Sequence, residues 1–136
     1  MMQMSEPKQD EWVNVCRLED ILANTGVCCL LGLEQVAIFR LGADARLYAI
    51  GNLDPFSRAN VLSRGLLGDR AGRPKVASPM YKQSFCLETG VCLDDPSVRV
   101  STYEVRVSAG QVALRRHATS PLRAGNVGLV GERQSR

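Results

Sequence analysis

Histidine occurs once, at His117, and the five cysteines contain no Cys-x-x-Cys spacing. Those two shortages exclude a two-histidine metal site, a histidine proton relay and the common cysteine-rich zinc patterns. Aromatic residues make up only 5% of the chain, and no apolar stripe of helical period persists for three turns, so a coiled coil or helical bundle is excluded. The longest run without charge, Ile21 to Leu33, has 13 residues and includes Asn24, Gly26 and Gly32. A membrane-spanning helix needs roughly 18 apolar residues, so no membrane association is expected. The opening MMQMSEPKQDE has no apolar stretch of the signal-peptide kind, which makes a reducing cytoplasm the expected compartment and free thiols the expected state of the cysteines. A Gly-rich phosphate cradle, a nucleophile elbow and a zincin helix are all missing.

What is present fits one mainly β domain. The 136 residues are one domain's worth, and 45% hydrophobic with 23% charged residues describes an ordinary globular chain. Short apolar segments recur between Gly, Pro, Asn and Asp. They predict strands at 12–16, 27–31, 35–40 and 47–50, the second and third joined as a hairpin near Gly32. In the first, Trp12, Asn14 and Cys16 are expected on one face, with Val13 and Val15 on the other. Residues 51–74 are rich in Gly and Pro and read as a long loop, the first place to look for activity. Lys75 to Ala77 predicts a short strand leading to a second loop, and Glu88-Thr89-Gly90 predicts a hairpin between strands at 85–87 and 91–93. A long strand is expected over 98–107 with a bend near Ser101-Thr102. A turn at Ala109-Gly110 then leads to a last strand at 112–114. Residues 1–10 and 118–136 read as an N-terminal and a flexible C-terminal tail around a domain at 11–117.

Few residues offer chemistry. Cys28 and Cys29 are adjacent and point to opposite faces of a strand, whereas a hairpin centred on Thr89 would set Cys86 opposite Cys92, as two buried thiols or a redox pair. His117 ends the last strand and reads as an edge residue, and Asp94-Asp95 reads as local turn capping. The segment 54–85 holds six basic and two acidic residues, Arg58, Arg64, Arg70, Arg73, Lys75 and Lys82 among them. It matches no nucleic-acid motif, and the net charge of +3 is small for a polyanion binder, so a protein-docking face or a solvated surface is expected instead.

Two stretches carry a resemblance: Tyr48-Ala49-Ile50-Gly51-Asn52-Leu53-Asp54-Pro55-Phe56-Ser57-Arg58-Ala59-Asn60, and Val76-Ala77-Ser78-Pro79-Met80-Tyr81-Lys82-Gln83-Ser84-Phe85. Strand, proline loop, spacer, short strand, second proline loop and Thr-Gly hairpin resemble the cluster-binding half of a Rieske domain, whose loops supply two cysteines and two histidines to a two-iron cluster. On this sequence those positions fall on Asp54 and Phe56, and on Ser78 and Tyr81. The resemblance therefore implies an all-β, Rieske-like sandwich of antiparallel sheets that has lost its metal ligands, with the rings of Phe56 and Tyr81 expected to pack together in their place.

With Asn-x-Asp-Pro-Phe-Ser-Arg-Ala and Ser-Pro-x-Tyr-Lys-Gln in these loops, the chain is similar to the small subunits of assimilatory NAD(P)H-dependent nitrite reductases over residues 12 to about 114. That family implies an accessory chain, without catalytic residues, cofactor or metal of its own. Its partner would be a large subunit that carries FAD, an iron-sulfur cluster and siroheme and reduces nitrite to ammonium. Pro55, Phe56, Arg58, Arg64, Pro79, Met80, Tyr81 and Lys82 would then form the docking face, apolar anchors inside a charged rim. A Rieske-type electron carrier with atypical ligands and a stand-alone protein-binding module remain as rival readings.

Overall fold

The structure is a computed structural model that describes residues 11–42, 44 and 46–116. The expected tails and His117 lie outside the described residues. Among the described residues eleven strands follow in chain order: β1 (Val13–Arg17), β2 (Thr25–Leu31), β3 (Glu34–Leu41), β4 (Arg46–Gly51), β5 (Leu53–Asp54), β6 (Ala59–Asn60), β7 (Leu66–Arg70), β8 (Arg73–Ala77), β9 (Ser84–Cys86), β10 (Thr102–Ser108) and β11 (Gln111–Arg116). Short 3₁₀ turns occupy Leu18–Asp20 and Leu62–Arg64. The all-β expectation holds. All the strand pairs are antiparallel, in a six-stranded sheet ordered β1-β11-β10-β4-β3-β2, a three-stranded sheet β7-β8-β9, and the small β5-β6 ribbon.

Two cores account for the sheet arrangement. The large sheet curls until its edge strands β1 and β2 touch. It encloses Ile21, Cys29, Leu31, Val36, Ile38 and Leu114, among others. On the outer face of β3 and β4, Ala37, Phe39 and Ile50 meet Val76, Phe85 and Leu87 from the small sheet side. Strand β3 is therefore buried on both faces, which is why Val36-Ala37-Ile38-Phe39 reads as a continuous apolar run without alternation.

Four sequence expectations need correction. Residues 51–74 are largely ordered into β5, β6, a 3₁₀ turn and β7. The β7–β8 hairpin turns at Ala71-Gly72, both with positive φ (53° and 82°), and was hidden because Leu66–Arg70 carries Gly68, Asp69 and Arg70 in place of alternating β-branched residues. In β1 a bulge falls between Asn14 and Cys16, so Cys16 pairs with the buried Val112 and turns inward beside Val13 and Val15, not outward with Asn14. The long strand begins only at Thr102. Upstream of the bend, Val98 and Val100 bond instead to Cys92 and Gly90. Finally, Phe85, not Cys86, stands opposite Cys92. Cys86 N–H donates to the Val91 carbonyl at 2.9 Å, which leaves a four-residue connection and shifts the register by one, turning the two thiols to opposite faces.

Gly90 shows how tightly the second core is closed. Its φ is +80°, and a Cβ there would lie 2.2 Å from the Val100 carbonyl oxygen. Gly42 has a similar φ of +72° but nothing within 4 Å. Gly90→Ala should therefore cost about 3 kcal/mol in urea unfolding, and Gly42→Ala about 1 kcal/mol. Equal losses would show that backbone conformation alone, without the steric contact, sets the cost.

Candidate functional site

Two loops with the pattern x-Pro-x-x-basic come together at one end of the molecule. The first, Asp54-Pro55-Phe56-Ser57-Arg58, joins β5 to β6; the second, Ser78-Pro79-Met80-Tyr81-Lys82, follows β8. Each closes with a backbone bond from its fifth residue to the carbonyl of its first, Arg58 to Asp54 at 2.7 Å and Lys82 to Ser78 at 3.1 Å. In each the fifth residue is left-handed, with φ of 62° at Arg58 and 70° at Lys82. Glycine is the low-cost residue at such a position, and a basic side chain there costs about 1 kcal/mol.

The loops are clasped through their first residues. Asp54 and Ser78 are both fully buried. Ser78 Oγ donates to Asp54 Oδ2 at 2.6 Å, and the same oxygen accepts from Ser57 Oγ at 3.1 Å. Asp54 Oδ1 accepts the Phe56 N–H at 2.9 Å, and Ser78 Oγ accepts the Met80 N–H at 3.2 Å. Every polar atom on this list therefore has a partner without a metal.

A two-iron cluster does not fit these residues. Asp54 and Ser78 are bonded to each other, Phe56 offers no lone pair, and Tyr81 is 59% exposed. Among the described residues no group of three or more His, Cys, Asp or Glu is placed to hold a metal ion. The expected Phe56–Tyr81 contact is not the one formed. Phe56 turns into the second core and meets Phe85 at a centroid distance of 6.2 Å, while Tyr81 points to solvent. The reason is that the Asp54–Ser78 bond already joins the loops, leaving each ring to follow its own solvation.

Of the other residues expected at the docking face, Pro55, Arg58, Arg64, Pro79, Met80 and Lys82 are exposed. Leu66 was missed. It opens β7 opposite Ala77, beside the second loop, and is 78% exposed. A lone apolar residue after Gly65 carries no sequence signal of exposure. Asn52 was also missed, because Gly51-Asn52 reads as a turn. Buried, it donates from Nδ2 to Gln35 Oε1 at 3.1 Å and accepts the Ser63 N–H at 2.7 Å, tying the first loop's base to β3. Asp95 caps its turn, accepting the Ser97 N–H at 3.2 Å, whereas Asp94 reaches further along the chain. It accepts the Ser84 N–H at 2.8 Å and pairs with Arg70 at 3.2 Å, and these contacts hold its carboxyl below the usual carboxylate range. An open cleft of about 390 Å³ beside the first loop is lined by Glu34, Arg99 and Tyr103 among others, but Glu34 is already engaged by the Tyr103 hydroxyl at 2.9 Å.

Comparison with known proteins agrees with this geometry. Residues 11–115 match the family described as a Rieske-like [2Fe-2S] domain. The chain is 50% identical over 105 residues to the nitrite reductase (NADH) small subunit of Escherichia coli K12, covering 77% of this chain and 97% of that one. The chain belongs to the nitrite reductase small-subunit family. A solution NMR structure of the nitrite reductase [NAD(P)H] small subunit from Erwinia carotovora superposes with a TM-score of 0.69 at 42% identity, over 88% of this chain and 91% of that one. The Klebsiella oxytoca nitrite reductase [NAD(P)H] large subunit is 45% identical over 101 residues, 74% of this chain but only 10% of that protein.

In this member of the small-subunit family, the clasp should dominate local stability. Asp54→Ala strands three donors and should cost about 2–4 kcal/mol, and Ser78→Ala about 1–2 kcal/mol. Chemical denaturation of both and of the double variant should give a coupling above about 1 kcal/mol. Strict additivity would mean that the two residues act separately.

Proposed function

We propose that this chain is the accessory small subunit of a cytoplasmic NAD(P)H-dependent nitrite reductase and docks on the large subunit through the two proline loops, without a cluster of its own. The observation that carries this is the Klebsiella large subunit, in which a stretch 45% identical to this chain forms part of one polypeptide. A domain that is covalent in one protein and separate in another keeps its place when the two chains bind each other. Iron-sulfur and other redox cofactors belong to the complex, with FAD, siroheme and the cluster on the large subunit in this reading. Among the described residues no helix is long and apolar enough to cross a membrane.

The face has the composition of an interface. Met80 and Tyr81 are 50% and 59% exposed, Leu66 stands near them, and Arg58, Arg64 and Lys82 are exposed in the same loops or close to them in sequence. Holding Arg58 and Lys82 in the left-handed region costs stability, and strain of that kind concentrates at functional surfaces. The partner is expected to offer carboxylates to these cations and an apolar depression to the tyrosine.

Arg58→Gly and Lys82→Gly separate folding from docking. Each should leave stability unchanged or raise it by up to about 1 kcal/mol. Each should weaken association with the large subunit about tenfold, ~1.4 kcal/mol, in a titration of purified subunits. Tyr81→Ala should weaken it at least as much, whereas Phe56→Ala should act mainly on stability through the core. Wild-type association by all three loop-surface variants excludes this face. Visible absorption of the freshly purified chain addresses the cluster: a colourless protein is expected, and charge-transfer bands would establish an electron carrier.

A further inference from the structure

The curled sheet leaves one seam without backbone pairing, where its edge strands β1 and β2 meet. A cysteine stands on each side of it. The bulge in β1 rotates Cys16 inward, onto the core that contains Cys29 of β2. Without that bulge Cys16 would share the outward face of Asn14. Of the other thiols, Cys28 is exposed on the opposite face of β2 and donates to Gln35 Oε1 at 3.4 Å, Cys86 lies in β9, and Cys92 lies in the second core.

We propose that Cys16 and Cys29 form a reversible dithiol–disulfide pair, a redox modification site that a peroxide closes and a small dithiol reopens. Both side chains pack in one apolar core across the line where β1 and β2 touch, and a hydrogen-bonding interaction between the two sulfurs is the leading cause of the shift in each thiol. This bond draws the Cys16 thiol below its ordinary value of 9.0, against the opposing effects of burial and the Asp20 charge. The same bond, with burial, pushes the Cys29 thiol far up. Cys16 is also only half-buried, whereas Cys29 is buried, so Cys16 is both the more ionised and the more reachable sulfur.

The chemistry balances with hydrogen peroxide as the oxidant. The Cys16 thiolate attacks one peroxide oxygen, an S–O bond forms as the O–O bond breaks, and the departing hydroxide takes a proton to become water. The sulfur of Cys29 then attacks the Cys16 sulfenic acid. The S–S bond forms, the S–O bond breaks, and the leaving hydroxide carries off the Cys29 proton as a second water. Two thiols are oxidised by two electrons and one peroxide is reduced. The product staples the seam where the edge strands β1 and β2 meet.

The test treats the full chain with hydrogen peroxide, blocks remaining thiols by alkylation and maps tryptic peptides by mass spectrometry. The expected result is a peptide ending at Arg17 cross-linked to the peptide ending at Arg40, with loss of two alkylatable thiols that dithiothreitol restores. The cross-link should persist in Cys28→Ser and vanish in Cys16→Ser. In Cys29→Ala, which lacks the second thiol, Cys16 should accumulate as a sulfenic acid that dimedone traps. Oxidised wild type should also melt at a higher temperature than reduced protein, and Cys16→Ser should show no such shift. A cross-link that survives Cys16→Ser or disappears in Cys28→Ser overturns the proposal, as does oxidation that yields no cross-link in the wild type.

Discussion

A carboxylate and a hydroxyl taken fully out of water must bond to something, and Asp54 and Ser78 bond to each other across the two loops that define one end of this molecule. One hydrogen bond of 2.6 Å and its supporting network tie the two loops together in this chain. The consequence reaches the surface. With the loops already joined, Phe56 is free to serve the core and Tyr81 is free to face outward.

The matched geometry of the loops follows from the same arrangement. Both begin at a clasp residue, continue through proline, and close on a left-handed basic residue. Proline fixes the first bend by its restricted φ, and the closing bond aims the cation away from the core. An exposed tip of proline, methionine, tyrosine and basic side chains results. This fits an accessory subunit whose counterpart in Klebsiella oxytoca lies within a large-subunit chain.

Register decides which face each cysteine serves. One bulge in β1 brings Cys16 to the core that holds Cys29, and one residue of register in the Thr89 hairpin separates Cys86 from Cys92. Strand alternation read from sequence turns Cys16 outward and sets Cys86 opposite Cys92, and both readings fail for a common reason: a single inserted or skipped residue inverts every side chain beyond it.

Local chemistry was legible where it is carried by residue type. Short punctuated apolar segments gave the β class, Ala109-Gly110 gave its hairpin, and residue type alone shows that neither proline loop carries a cysteine or a histidine. Those features rest on backbone preference and donor chemistry, which belong to each residue wherever it sits. The clasp, the inward turn of Cys16, the exposure of Leu66 and the division of labour between Phe56 and Tyr81 were decided only on folding. Each depends on residues distant in sequence, 24 apart for Asp54 and Ser78, and their solvation is fixed by packing that no local pattern encodes.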